Sequence, residues 1–274
     1  ENCTIPIPKT QLIELFGLNR STFYYKSRIE EKDKKFLVQI KDLMQKNPSY
    51  GSPRIALALQ VNHKRVERVM KANQLKAYRR RRRYFKPGDL RQEPSKYPNY
   101  IGKLCPISPR IVYATDFTYI DYKGKNIYLA TVIDVFSREI VGWDISDRHT
   151  ADMMKRALEK AFKQGVPHFL HSDQGSEMKS EVYINFAEKQ GVKVSMSKKA
   201  SPWQNGFQES FYSGFKLDLG DQNRFESKGE LIEAIIQNLN YYNNERLHTV
   251  LKTTPRKYFE DFQETRMKLL KTGN

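Results

Sequence analysis

The chain has 274 residues and a formal net charge of +17, with 48 lysines and arginines against 31 aspartates and glutamates. Two cysteines and five histidines are too few and too widely scattered for a disulfide framework or a zinc site. No apolar run approaches the roughly 18 residues of a membrane span, and no signal peptide precedes the body, so we expect a cytoplasmic protein without a membrane partner.

The positive charge is concentrated in the first part of the chain. Residues 1–110 carry 25 lysines and arginines against 9 acidic residues, whereas residues 111–274 carry 23 against 22. This distribution is typical of a protein in which one part binds nucleic-acid phosphates and another part holds catalytic acids. A basic tail without a specific partner is the alternative.

Residues 1–78 are predicted to form a small all-α DNA-binding region of the helix-turn-helix type. The predicted helices are a pair within 9–27 that turns at Gly17, then 30–47, 53–60 and 63–73. Asn62 is a suitable N-cap for the last helix. That helix carries the basic residues that we expect to bind DNA, which are Lys64, Arg65 and Arg68. An ordinary three-helix bundle with a solvated charged face is the alternative.

Residues 79–110 are predicted to be a basic, proline-rich linker. The linker opens with five consecutive arginines, which are Arg79, Arg80, Arg81, Arg82 and Arg83. Like charges at adjacent positions repel, so we expect this run to be extended and to become ordered on DNA. A solvated linker or a targeting patch is the alternative. Five prolines between 87 and 109, without helical periodicity, mark the domain boundary.

From residue 111 the pattern changes to that of an α/β domain. The predicted strands are 111–120, 126–137, 139–146, 167–170 and 193–197, and the predicted helices are 151–164, 181–190, 205–219 and 229–243. Three consecutive strands followed by alternating helices and strands predict a mixed five-stranded sheet with flanking helices. This order is found in ribonuclease-H-like domains. We assign such a catalytic domain to residues 111–250 and a C-terminal tail to 251–274.

Three carboxylates in this domain are predicted to form an active site. Asp116 lies on an apolar strand face, where an unpaired charge is costly and a metal partner is favoured. Asp173 follows a strand in HSDQGSEM, and Glu209 lies on a helix in SPWQNGFQESF. Such carboxylates suit two Mg²⁺ or Mn²⁺ ions that act on the attacking and leaving oxygens of a phosphoryl transfer. Asp134 is the strongest rival. An Asx-turn is the alternative for Asp173, and a solvated helix stripe for Glu209.

The helix that carries Glu209 contributes further candidates. Asn205 lies one turn before Glu209 and Lys216 two turns after it, so the three share one helix face. An amide and an ammonium group beside a carboxylate suit a metal ligand close to DNA phosphates. Trp203 precedes this helix, where its ring could stack on an unpaired base. A hydrophobic plug for the loop is equally consistent with its position.

The motifs, taken in order, also carry a family resemblance. They are YGSPRI at 50–55, TDFTYI at 115–120, HSDQGS at 171–176, SPWQNGFQESF at 201–211, YYNNERLH at 241–248 and TPRKYF at 254–259. Over nearly the whole chain this set resembles the DDE transposases of bacterial insertion sequences, in particular the IS-three family, which is related to retroviral integrases. The resemblance implies that Asp116, Asp173 and Glu209 are the catalytic triad and that Lys216 contacts the terminal DNA.

The resemblance also implies a reaction and partners. Water would attack at the element end to free a 3′-OH, and that 3′-OH would attack a second phosphodiester, with two Mg²⁺ or Mn²⁺ ions as cofactors. The expected partners are double-stranded DNA, as terminal inverted repeats and target, and further copies of the chain in a homodimer or larger nucleoid-associated assembly. Because the chain opens on Glu1 and lacks a heptad run, we expect the family's N-terminal coiled-coil portion to be missing or separate.

Two alternative functions stay open. One is a retroviral-type integrase or a related nuclease of the same fold, although the chain lacks a His-His-Cys-Cys zinc module. The other is a non-catalytic DNA-binding regulator derived from a transposase, although all three acids and Lys216 are present.

Overall fold

The computed structural model describes residues 8–25, 29–78, 96–198 and 205–272. The predictions for Arg79 to Arg83 and for Trp203 lie outside these ranges.

The N-terminal region is helical, as predicted. Its helices are α1 (Lys9–Leu15), α2 (Arg20–Phe23), α3 (Ile29–Lys46), α4 (Ser52–Ala58) and α5 (His63–Ala72). Apolar side chains of α3, α4 and α5 form one small core, in which Ile40, Ile55 and Val66 are fully buried. Asn62 caps α5, because its side chain accepts a hydrogen bond from the Lys64 amide at 2.9 Å. In contrast, α1 and α2 bury none of their residues.

The α/β part of the chain contains the predicted mixed five-stranded sheet. Its strands are β1 (Val112–Tyr122), β2 (Lys125–Asp134), β3 (Ile140–Ser146), β4 (Phe169–Ser172) and β5 (Lys193–Met196). The spatial order is β3-β2-β1-β4-β5. The first three strands pair antiparallel, whereas β1 with β4 and β4 with β5 pair parallel. The fold-class prediction is therefore confirmed.

Helices cover both faces of the sheet. They are α6 (Ala151–Gln164), α7 (Glu181–Lys189), α8 (Gly206–Leu219) and α9 (Lys228–Asn244), and α9 is followed in the chain by α10 (Pro255–Thr272). Alternation along β1 sends Val112 and Ala114 into the core beneath α8 and α9, and Tyr113 into the core beneath α6 and α7. Burying each large apolar side chain contributes about 1.5–3 kcal/mol, so these two cores hold the sheet rigid beneath the helices.

The C-terminal tail predicted for 251–274 contains a long helix instead. Thr254 precedes Pro255, and its hydroxyl accepts a hydrogen bond from the Lys257 amide at 3.3 Å, which starts α10. The rings of Tyr258 and Phe262 then lie 5.4 and 5.0 Å from the ring of Phe136, measured between centroids. Helix α10 is thereby packed against the turn that follows β2.

The N-terminal helical region contacts the α/β part of the chain at the end of α9 and just beyond it. Arg54 donates from Nε to the carbonyl of Leu247 at 3.1 Å, and the Leu247 amide donates to the hydroxyl of Tyr50 at 2.9 Å. Tyr241 donates from its hydroxyl to the Asn47 side chain. Across the described ranges, no helix is both long and apolar enough to span a membrane.

Candidate active site

The parallel pairing of β1 and β4 brings two of the predicted carboxylates to one edge of the sheet. Ala114 of β1 pairs with His171 of β4. Asp116 and Asp173 each follow two residues later, so they leave adjacent strands at the same level. Asp116 is half-buried, and its Oδ1 accepts a hydrogen bond from the Phe117 amide at 2.8 Å.

Asp173 is exposed in the loop directly after β4. Its Oδ1 accepts a hydrogen bond from the Gly175 amide at 2.9 Å, which is the Asx-turn considered as an alternative. A Cβ atom at Gly175 would lie 3.1 Å from that same oxygen, so a side chain there would crowd the carboxylate. The turn uses one oxygen of Asp173 and orients the group at the sheet edge.

Helix α8 is fixed over the same edge by Gln208, which the sequence analysis did not single out. The Gln208 side chain is fully buried and donates from Nε2 to the carbonyls of Ala114 at 2.7 Å and Thr131 at 3.1 Å. Its Oε1 accepts a hydrogen bond from the Thr131 hydroxyl at 2.9 Å. These bonds join the first turn of α8 to β1 and β2.

Tyr212, one turn further along α8, was also missed. Its hydroxyl donates to the backbone carbonyl of Asp116 at 2.7 Å. Gln208 and Tyr212 lie four residues apart and therefore on one helix face. With that face held on the sheet, Glu209 is exposed in the first helical turn on an adjacent face.

The negative charges of Asp173 and Glu209 both act on Asp116. Burial first, and then these two charges, raise the pKa of Asp116 to about 7, while the Phe117 amide and Lys216 oppose the rise. Within the described residues, no three or more Asp, Glu, His or Cys side chains are arranged to hold a metal ion.

Lys216 lies on the Glu209 side of α8, as its spacing predicted. Its ammonium nitrogen lies 4.9 Å from the centre of the Tyr119 ring on β1. Because its charge acts on Asp116, Lys216 adds a positive group to the same edge of the sheet.

Asn205 requires a correction. Its sequence position predicts a DNA contact, but the structure buries the residue with 4% of its surface exposed. Its Nδ2 lies 3.4 Å from the carbonyl of Thr115, to which it donates. The side chain therefore anchors the start of α8 on β1 and offers no surface to DNA.

The rival Asp134 is explained by the turn after β2. It is buried, and its carboxylate accepts backbone hydrogen bonds from Phe136 and Ser137, each at 2.8 Å, and from Arg110. Burial raises its pKa, and these amides lower it. Asp134 therefore caps a turn, and these backbone hydrogen bonds account for its buried carboxylate without a catalytic role.

A second pair of residues beside the site was missed by sequence reasoning. Nδ1 of His149 lies 2.5 Å from Oε1 of Glu177, and the His149 ring stacks on Phe117 at 5.6 Å between centroids. Phe117 follows Asp116, and Glu177 belongs to the loop of Asp173. No sequence spacing links 149 with 177, so only the fold could reveal this contact.

The predicted DNA contacts of α5 lie on its solvent-facing side. Lys64 is exposed. Arg68 donates from Nη2 to Oδ1 of Asp33 at 2.9 Å. The guanidinium carbon of Arg65 lies 4.3 Å from the ring centre of Phe36. The ion pair leaves Arg68 half exposed, so its guanidinium remains accessible from solvent.

Comparisons with known proteins match both parts of the chain. Residues 108–202 and 190–255 match two models described as "Integrase core domain", and residues 30–83 match an "HTH-like domain". The chain is 31% identical to the transposase assigned to insertion sequence IS150 of Escherichia coli K12, over 92% of this chain and 93% of that protein. It is 34% identical to the transposase of IS904 of Lactococcus lactis, over 78% and 88%.

A solved structure shares the fold. It is the simian T-cell lymphotropic virus intasome in complex with the PP2A regulatory subunit B56 gamma, with a TM-score of 0.52 and 15% identity. The match covers 80% of this chain and 73% of that chain. The likeness confirms the ribonuclease-H-like, integrase-core architecture.

Proposed function

Because this chain belongs to the insertion-sequence transposases that carry an integrase core domain, we propose that Asp116, Asp173 and Glu209 perform its DNA strand cleavage and strand transfer. The observation that supports this most directly is electrostatic. The pKa of Asp116 is raised by burial and by the charges of the other two carboxylates, which are held near it by the β1–β4 pairing and by Gln208.

The donor set fits hard divalent cations. Carboxylate oxygens are the ligands that Mg²⁺ and Mn²⁺ prefer. The pKa of Asp116 is raised first by burial and then by the charges of Asp173 and Glu209, and a bound cation would offset those charges. Asp116 and Asp173 would hold the ions, and Glu209 would complete the second of two sites. Bound ions supply activation of the attacking oxygen and stabilisation of the leaving oxygen.

The remaining residues position the carboxylates and the DNA. Gln208 and Tyr212 hold α8 so that Glu209 faces the sheet edge. Lys216 binds a phosphate of the terminal DNA, since its ammonium lies at that edge. Lys64, Arg65 and Arg68 on α5 bind the duplex outside the active site, mainly through phosphates.

The reaction that follows has two steps. Hydrolysis of a phosphodiester at the element end frees a 3′-OH, and this 3′-OH then attacks a second phosphodiester and joins the strands. We place the chain in the IS-three family, in which the first transfer joins the two element ends and gives a circular intermediate. Two DNA ends must be held together, so the active species is a homodimer or a larger assembly on double-stranded DNA.

The test is strand cleavage and joining on a labelled duplex that carries an end of the parent element, with Mg²⁺ or Mn²⁺. The variant Glu209→Gln is expected to lose product formation by about 100-fold or more, because several kcal/mol of transition-state stabilisation depend on the ligand set. Its DNA affinity should persist. Glu181→Gln is the matched control, since Glu181 is also an exposed glutamate in the first turn of a helix. Equal activity in Glu209→Gln and Glu181→Gln would refute the assignment.

A further inference from the structure

A basic cavity of 570 Å³ lies beside the catalytic helix, on a different face from Glu209. At 100° per residue, Phe207, Ser210 and Gly214 of α8 point into the cavity while Glu209 and Lys216 point about a third of a turn away. The cavity therefore opens mainly on a face next to that of Glu209, although Ser213, one helical turn after Glu209, also lines it.

Three arginines from three parts of the chain line this cavity. Arg54 comes from α4 of the helical region, Arg138 from the turn between β2 and β3, and Arg246 from the segment after α9. Arg246 is 5% exposed and pairs with Asp218. Arg54 donates from Nε to the backbone carbonyl of Leu247 at 3.1 Å.

Two buried polar atoms of residues that line the cavity lack partners. Nη1 of Arg138 and Nδ1 of His248 are buried, and neither has a hydrogen-bond partner among the described residues. The Arg138 guanidinium instead stacks on Phe207, with its carbon 4.0 Å from the ring centre. Buried polar groups are nearly always hydrogen-bonded, and an unmet guanidinium N–H is a costly exception.

The charge balance around the cavity is positive. Burial lowers the pKa of Arg54 and of Arg138, and the charge of Arg246 also lowers that of Arg54. Burial and the three arginines lower the pKa of His248 to about 4, so the imidazole is neutral. Of the nearby acids, Asp218 is engaged by Arg246, while Asp134 caps a turn through backbone amides. The wall therefore presents more positive charge than its own acids neutralise.

We propose that this cavity is a second anion site, which binds one phosphate group between Arg54, Arg138 and the serine hydroxyls of α8. Guanidinium groups bind phosphate oxygens through paired N–H donors. Ser210 and Ser213 supply hydroxyls on the cavity wall, and the positive N-terminal end of α8 lies nearby. A phosphate held here would contact α4, the β2–β3 turn and α8 together, and would hold the helical region against the helix that carries Glu209.

The phosphate has two possible sources with the same chemistry, a DNA backbone and free phosphate. The first measurement is thermal unfolding of the full chain in sodium phosphate and in sodium chloride at equal ionic strength and pH. A ligand that binds the folded state raises Tm with its concentration. We expect phosphate to raise the Tm of the wild type above its value in chloride, and to go on raising it with the logarithm of phosphate concentration above Kd.

Two variants and one control locate the effect. Arg138→Gln removes the guanidinium whose Nη1 has no hydrogen-bond partner among the described residues. Ser213→Asp places a carboxylate at the exposed rim, where it competes for the arginines without removing any of them. Both should lose the phosphate-dependent rise in Tm. Lys189→Gln removes an exposed charge on α7 and should keep it. If Arg138→Gln fails to fold, Ser213→Asp alone decides the question.

The second measurement separates the sources. Affinity for a fluorescent duplex is measured over a range of salt concentrations. Loss of one phosphate contact lowers the slope of log affinity against log salt by about 1. A reduced slope in both variants assigns the site to a DNA phosphate, and an unchanged slope with loss of the Tm response assigns it to free phosphate. Two results would overturn the proposal. One is a phosphate-dependent rise in Tm that persists in both variants. The other is a wild type whose Tm does not respond to phosphate, together with variants whose salt slope is unchanged. Neither readout requires the carboxylates, so failure here leaves the catalytic assignment untouched.

Discussion

The substitution Gln208→Leu tests how the catalytic helix is held on the sheet. Gln208 is fully buried and makes three hydrogen bonds, two to the carbonyls of Ala114 and Thr131 and one from the Thr131 hydroxyl. Leucine has a similar volume but no polar atoms, so it opens little cavity and leaves those groups without their partner. At about 0.5–1.5 kcal/mol for each net hydrogen bond, the free energy of unfolding should fall by about 2–4 kcal/mol.

The measurement is urea or thermal unfolding of the full chain, with Gln237→Leu as the control. Gln237 is a surface glutamine that bonds only to Glu233 one turn away in the described geometry, and such substitutions change stability by about 0.5 kcal/mol or less. For Gln208→Leu, Tm should fall by roughly 4–16 °C. Strand transfer should fall as well, because Glu209 shares the affected turn. Equal Tm values for the two variants would refute the proposed anchoring.

Two further predictions concern charge. The pKa of Asp116 is about 7 in the folded chain against an ordinary value of 3.8, so the folded state binds the extra proton between these values. The free energy of unfolding of the metal-free chain should therefore fall as pH rises from about 4 to 7. Urea unfolding of Asp116→Asn should not show this fall, and identical pH profiles for the variant and the wild type would contradict the prediction. Arg68→Ala breaks an exposed ion pair with Asp33, so the free energy of unfolding should change by less than about 1 kcal/mol. Affinity for a DNA duplex should fall, and the slope of log affinity against log salt should drop by about 1. An unchanged slope in a fluorescence titration would exclude Arg68 as a phosphate contact.

The strands and the positions of Asp116 and Asp173 could be predicted because each depends on local pattern. Alternation along 111–120 defines two faces of β1, and both faces are found buried in separate cores. A short apolar run that ends at an acid defines the position after β4. Side chains alternate between the two faces of a strand in any tertiary fold, so the alternation in the sequence is a dependable sign of a strand.

The anchoring of α8 could not be predicted. Gln208 and Tyr212 are polar residues on a helix, and helical periodicity assigns such residues to solvent. They are buried because backbone carbonyls and the Thr131 hydroxyl of the sheet meet them. Asn205 was wrongly placed among the DNA contacts for the same reason, since only the packed sheet supplies the Thr115 carbonyl that it bonds.

The C-terminal helix was missed for a different reason. Residues 255–272 are largely polar, although Tyr258 and Phe262 recur at the helical spacing of four. The helix depends on the Thr254-Pro255 start and on the Phe136 ring. Phe136 lies more than a hundred residues earlier, so the partner that orders α10 is visible only in the fold.

The central claim, that the three carboxylates bind the catalytic metal, is tested most directly by Asp173→Cys. A thiolate is a softer ligand than a carboxylate, so it should support the hard cation Mg²⁺ less well than Mn²⁺. Asp152→Cys is the control, because Asp152 is an exposed aspartate in the first turn of α6. The account predicts that Asp173→Cys loses strand transfer in Mg²⁺ and regains part of it in Mn²⁺, while the control stays active in both. Activity of Asp173→Cys in Mg²⁺ equal to that of the control would contradict it.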